Sequence, residues 1–148
     1  MQKSASFIIT IATLSLTTGV LAHSGATGVV KERMELMDEV AKSTKIIANM
    51  ITGKATLDPA LAATASNSLE NHASEMLSLF PKGSLEGPSE ARPEIWEDWE
   101  TFSGLAFKMQ MAAKNIAADT SNVDAMKPGF ASLAKTCGAC HEKFRLKK

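Results

Sequence analysis

Cysteine is almost absent: the 148 residues hold only Cys137 and Cys140, alongside three histidines. A structural zinc site would need further Cys or His ligands at fixed spacings, and a thioredoxin-type dithiol would need a strand and a βαβ pattern upstream. Neither is there. An excess of charge of one sign is missing too, since 16 Lys and Arg meet 16 Asp and Glu. A nucleic-acid binder would carry a basic stripe, so that class is set aside. Beyond the N-terminus nothing approaches the ~18 uninterrupted apolar residues of a membrane span, so no stable membrane insertion is expected.

The N-terminus itself reads as a leader. Lys3 supplies a positive start, Phe7 to Leu16 is an apolar run too short for a comfortable span, and Val20-Leu21-Ala22 puts small residues where a signal peptidase cuts. Residues 1–22 are therefore expected to be a signal peptide, and 23–148 one exported domain of 126 residues with about one net negative charge. His23 would begin that domain, and no second histidine stands at a position that would support a metal there.

What is present is concentrated near the C-terminus, in Cys137-Gly138-Ala139-Cys140-His141. Two thiols three positions apart with a histidine directly after the second is the spacing that fastens haem c. On a helix, Cys137 and His141 are one turn apart on the same face, with Cys140 on its flank. The thiols can then bond the two vinyl groups while the imidazole reaches the iron. Covalent haem attachment in bacteria takes place on the exported side of the membrane, which agrees with the leader and predicts a periplasmic protein.

The rest of the chain reads as four helices. The first runs from Gly28 to Ile51, where Val30, Met34, Met37, Ala41, Thr44, Ala48 and Ile51 step by four and three; Asp38 and Lys42 form an i, i+4 pair, and Gly53 ends it. The second opens at Asp58-Pro59, an N-cap acceptor followed by proline at the first helical position, and buries Leu61, Ala65, Leu69, Ala73, Met76 and Phe80. Residues 81–92 hold two Pro and two Gly and read as the longest loop. A third helix is predicted from about Pro93 through Trp99, Phe102, Ala106, Met109, Ala113 and Ile116. A fourth carries Phe130, Leu133, Cys137, His141 and Phe144 on its inner face, kinked at Pro128 or starting after it. The fold class is all-α, an antiparallel four-helix bundle with haem bound covalently near the C-terminus.

If His141 is one axial ligand, a facing helix must decide the other side of the iron. Met37 is the candidate on the first helix, with Met34, Met109 and Met126 offering the same thioether and with core packing as the plain reading of any of them. His72 lies at the edge of the second helix's stripe. Arg145 and Arg33 each admit two readings, a fork onto a haem propionate or a solvated charge; Arg145, one turn beyond His141, is the better placed. Trp96 and Trp99 read as core and rim packing.

Together these residues resemble the class II c-type cytochromes, the group of cytochrome c′ and the low-spin cytochrome c-556. The resemblance spans nearly all of the exported chain and rests on Cys137 to Arg145, on Arg33-Met34-Glu35-Leu36-Met37, and on Leu79-Phe80-Pro81 and Pro93-Glu94-Ile95-Trp96. It implies one covalent haem c on Cys137 and Cys140, proximal His141 and Met37 on the distal side, with iron ligands His141 and Met37 in the low-spin branch. There the protein would be a one-electron carrier between periplasmic redox proteins. In the cytochrome c′ branch the iron is five-coordinate and open to nitric oxide or carbon monoxide. Relatives in this group also pair as homodimers through their first two helices. Enzymatic activity is not expected, because peroxidase chemistry would want a distal His or Arg poised over an open iron, and the sequence places no such pair.

Overall fold

The computed structural model describes residues 25–147, so the predicted leader and His23 lie outside the described residues. Four long helices form the body: α1 (Gly28–Ile51), α2 (Pro59–Glu75), α4 (Trp99–Ala118) and α5 (Val123–Phe144), with a single turn, α3 (Glu94–Glu97), before α4. The starts of α2 and α5 have local causes. Asp58 accepts from Leu61 N–H at 3.0 Å with Pro59 at the first helical position, and Asn122 accepts from Ala125 N–H at 2.9 Å. Gly53 takes φ +72° just past the end of α1, a conformation that costs glycine little.

Four contacts fix the directions. The Thr120 hydroxyl donates to Pro59 O at 3.0 Å, bringing the end of α4 to the start of α2, and Trp96 Nε1 donates to Phe80 O at 3.0 Å at the other end. Lys143 pairs with Asp98, so α5 ends where α4 begins, and Arg33 near the start of α1 reaches Leu79 and Ser84 beyond the end of α2. Consecutive long helices are therefore antiparallel. One end of the bundle gathers the start of α1, the loop after α2, the start of α4 and the end of α5.

The lateral seams differ. α2 with α4 and α4 with α5 pack closely, α1 lies less closely on α2, and α1 and α5 approach least. The α4–α5 crossing is tight because residue 129 is glycine. A Cβ there would sit 2.7 Å from Ile116 Cγ1 and 3.1 Å from the Ile116 backbone nitrogen.

Several expectations from the pattern are corrected. The buried stripe of α1 is Val30, Arg33, Leu36, Val40, Ser43, Ile47 and Met50, one position away from the predicted seam after Val30. Met34 and Met37 are half-buried on its flank, and Ala41 is exposed. Lys42 bonds Glu39 at 2.6 Å, one residue nearer than Asp38, whose charge adds to the field on Lys42. In α2 the buried stripe begins at Ala62 rather than Leu61, which is exposed, and α2 tightens to a 3-10 turn over Met76–Leu79. The third predicted helix is broken at Asp98, which leaves helical geometry and caps α4 by accepting from Thr101 N–H at 3.2 Å. Trp99 keeps 39 % of its surface in water, although its ring lies 5.5 Å from that of Phe102. α5 begins at Val123 and continues helical through Pro128, so the later start is not taken.

Alanine ordinarily favours a helix interior over glycine by roughly 1 kcal/mol. At Gly129 the clash should reverse that sign. Gly129→Ala is expected to destabilise the bundle by about 1–3 kcal/mol in a denaturant titration, and a stabilised variant would mean that α4 and α5 can separate at little cost.

Candidate haem site

The motif falls in the last two turns of α5. Cys137 and Cys140 are free thiols, half-buried and packed against the core, while His141, expected on the inner face of the helix, is exposed. Burial pushes both thiols up, and the Cys137 thiol nearby helps take Cys140 to about 11. At neutral pH both are protonated. A redox dithiol depends on a lowered thiol pKa, so the arrangement is unlike one. Burial is the main cause lowering the His141 pKa, with the Arg145 charge adding and Glu90 opposing. The neutral imidazole this favours is the form with a lone pair for a metal. Among the described residues the His141 ring makes no side-chain hydrogen bond.

Met37 on α1 is half-buried and packed against the core, as are Phe130 and the two cysteines on α5. Such half-covered apolar flanks suit a flat apolar macrocycle, which would take their surface out of water. The donor set fits a covalently held haem: two neutral thiols, an imidazole without a side-chain hydrogen bond among the described residues on the same helix flank, and a half-buried thioether on α1. Met109 and Met126, the other thioethers considered, are buried in the core, and Met34 shares the flank of Met37. A groove of about 380 Å³ between α4 and α5, lined by Leu105, Phe107, Met111 and Lys135, touches the motif only at Ala139. Ala139 stands on the side of α5 away from Cys137, so that groove is not the haem seat.

The remaining candidates are placed elsewhere. His72 is bonded through Nε2 to the Ser68 hydroxyl at 3.1 Å, one turn back on its own helix, and its Nδ1 is buried without a partner among the described residues. Arg145 is engaged by Glu90, at 2.7 Å from Nε and 2.6 Å from Nη2, so reaching a propionate would require it to leave that carboxylate. Arg33 is not the solvated charge of its second reading. Only 5 % exposed, it donates to Leu79 O at 3.2 Å, to Ser84 O at 3.0 Å and to the Ser84 hydroxyl at 2.8 Å, with the Ser89 hydroxyl at 3.4 Å and the Phe80 ring 4.2 Å from its centre. The signal in the sequence was its place at i+3 from Val30 and i−3 from Leu36, where a charge breaks an otherwise apolar stripe.

A helical bundle with a thiol pair and adjacent histidine on its last helix is the frame of a haem c protein. The profile described as Cytochrome C' matches residues 28–145, and the chain belongs to the cytochrome c′ family. Among its relatives is a cytochrome c-556 from Agrobacterium fabrum, 32% identical over 127 residues, covering 83% of this chain and 84% of that protein. The solved cytochrome c′ from Rhodopseudomonas palustris superposes with a TM-score of 0.77 at 29% identity, covering 83% of this chain and 99% of the other. A nitric oxide complex of a cytochrome c′ variant from Alcaligenes xylosoxidans gives 0.72 at 25% identity, covering 80% and 94%. The four-helix bundle is the family's architecture, for which cytochrome c′ is itself a standard example. As a member of the family the protein carries covalent haem c.

Around the motif, the end of α5 is held to the start of α4 by Lys143 on Asp98. The Lys143 and Thr101 hydrogen bonds hold the Asp98 carboxyl below the usual carboxylate range. A lowered carboxyl pKa stabilises the fold above the unfolded value, and that contribution is lost as pH falls through the folded value. Asp98→Asn should therefore lower the Tm most near neutral pH, and the gap to wild type should close as the pH falls through the lowered Asp98 pKa. A gap that does not change with pH would mean the ion pair contributes nothing.

Proposed function

We propose that the protein is a periplasmic one-electron carrier with a low-spin haem c. Cys137 and Cys140 hold the porphyrin, each S–H adding across one vinyl group, and His141 binds the iron on the proximal side. Met37 binds on the distal side. The observation that carries this reading is the half-buried Met37 packed against the core, on the α1 flank the family resemblance marks as distal. When bound, the haem supplies an iron that alternates between ferrous and ferric. Nitrogen and sulfur ligation changes little in geometry between those states and favours the reduced one, which raises the potential. The chain's own contribution is to hold the imidazole neutral, keep the thioether in reach and cover the macrocycle with apolar groups. Redox proteins of the same compartment are its partners, whether it works as a monomer or as a homodimer, and no catalytic turnover is assigned to it.

A second reading is favoured by the nitric oxide complex of the Alcaligenes xylosoxidans relative. There Met37 would only fill space above an open coordination position, and the protein would bind nitric oxide or carbon monoxide. A visible spectrum separates the two. Sharp α and β bands in the reduced protein, with resistance to carbon monoxide, are expected, and Met37→Ala should replace them with a broad high-spin spectrum and rapid carbon monoxide binding. A wild-type protein that is already high-spin defeats the carrier reading, and an unchanged spectrum in the variant puts the sixth ligand elsewhere. A purified mature chain whose mass lacks one haem would remove both.

A further inference from the structure

α1 and α5, the helices assigned to the two sides of the haem, pack little on each other and share a loop that bonds to both. Direct packing between α1 and α5 is the slightest of the four seams, so it does not by itself set their separation. The loop from Leu79 to Arg92 touches both. On the α1 side it is held by Arg33, one turn before Met37, through Leu79 O, Ser84 O and the Ser84 and Ser89 hydroxyls. Ser84 is itself buried.

On the α5 side the same loop grips the chain just past His141. Arg92 N–H donates to Phe144 O at 3.0 Å and Leu146 N–H to Glu90 O at 2.8 Å, an antiparallel bridge that places Ala91 opposite Arg145. Glu90 also takes the Arg145 guanidinium at 2.6 Å. Each grip lies about one turn from the residue assigned to the iron: Arg33 four positions before Met37, and Phe144 three after His141.

We propose that the loop 79–92 is a strap that sets the spacing of α1 and α5, and that Arg33 and Glu90 are positioning residues deciding from outside the site whether Met37 closes on the iron. The spectroscopic arm of this proposal rests on the Met37 reading above. A distal thioether must come within bonding distance, and a small displacement of α1 opens the bond. The fraction of molecules with an open iron then depends on how firmly the strap holds, and apparent carbon monoxide affinity scales with that fraction.

The test uses the mature holoprotein and three variants. Glu90→Gln weakens the α5 grip while leaving the backbone bridge. Arg33→Lys keeps the charge and loses the fork. Lys127→Ala removes a surface pair with Asp124 far along α5 and serves as the control for general loosening. Ferrous Glu90→Gln and Arg33→Lys are expected to take up carbon monoxide about tenfold more readily than wild type. Amide exchange of residues 33–41 should rise in Glu90→Gln, although the Glu90–Arg145 pair lies at the end of the other helix, and Lys127→Ala should match wild type in both measurements.

Carbon monoxide uptake and α1 exchange in Glu90→Gln that equal those of wild type would overturn the strap. So would equal changes in Lys127→Ala. If wild type is already high-spin, the Met37 reading fails alone, and the exchange of 33–41 in Glu90→Gln still decides for or against the strap. Should Arg33→Lys not fold, Glu90→Gln carries the same decision.

Discussion

A guanidinium buried at the end of a bundle must find acceptors for its N–H groups, because leaving charged donors unsatisfied away from water is costly. Arg33 finds them in the loop after α2, on Leu79, Ser84 and Ser89, with the face of Phe80 against its plane. That requirement shapes the loop as much as the loop shapes α1. Residues 81–92, rich in Pro and Gly and without a regular pattern, take one path because carbonyls at fixed positions must meet a fixed fork. The path then brings Glu90 and Arg92 to the end of α5.

Around that end the aromatic residues form a second layer of order. Phe102 lies edge-on to Phe80 at 4.8 Å and to Phe144 at 5.4 Å, joining the end of α2, the start of α4 and the last turn of α5 through one ring. Edge-to-face pairs add modest energy beyond their buried area and fix orientation. The haem-bearing turn of α5 thus stands on a packed floor, while its flank toward α1 is half-open.

Much of this could be read from the residues. The thiol spacing, the Asp58-Pro59 cap and the 3.6-residue periodicities gave the helices, their order and the motif, because each depends on local chemistry. The register of α1 could not be read in the same way. Two apolar stripes run along it one residue apart, and the truly buried one contains Arg33 and Ser43, which pattern reasoning treats as surface residues. Only the loop's carbonyls, more than forty residues away, make a buried Arg33 acceptable. The half-covered stripe with Met34 and Met37 has the same period and is the more apolar in sequence, so pattern alone puts it in the core. Likewise the break at Asp98 depends on capping and on Lys143 across the bundle, which no window around Asp98 contains.

The unequal seams give the molecule a hierarchy of opening. α2, α4 and α5 interlock along two close seams, whereas α1 leans on α2 and on a loop, so partial unfolding should start by peeling the first helix while the other three hold together. Under mild stress the two flanks would then fare differently: the one carrying Met37 on α1 loosens early and reversibly, while the one carrying Cys137, Cys140 and His141 keeps its packing on α4 until the whole bundle melts.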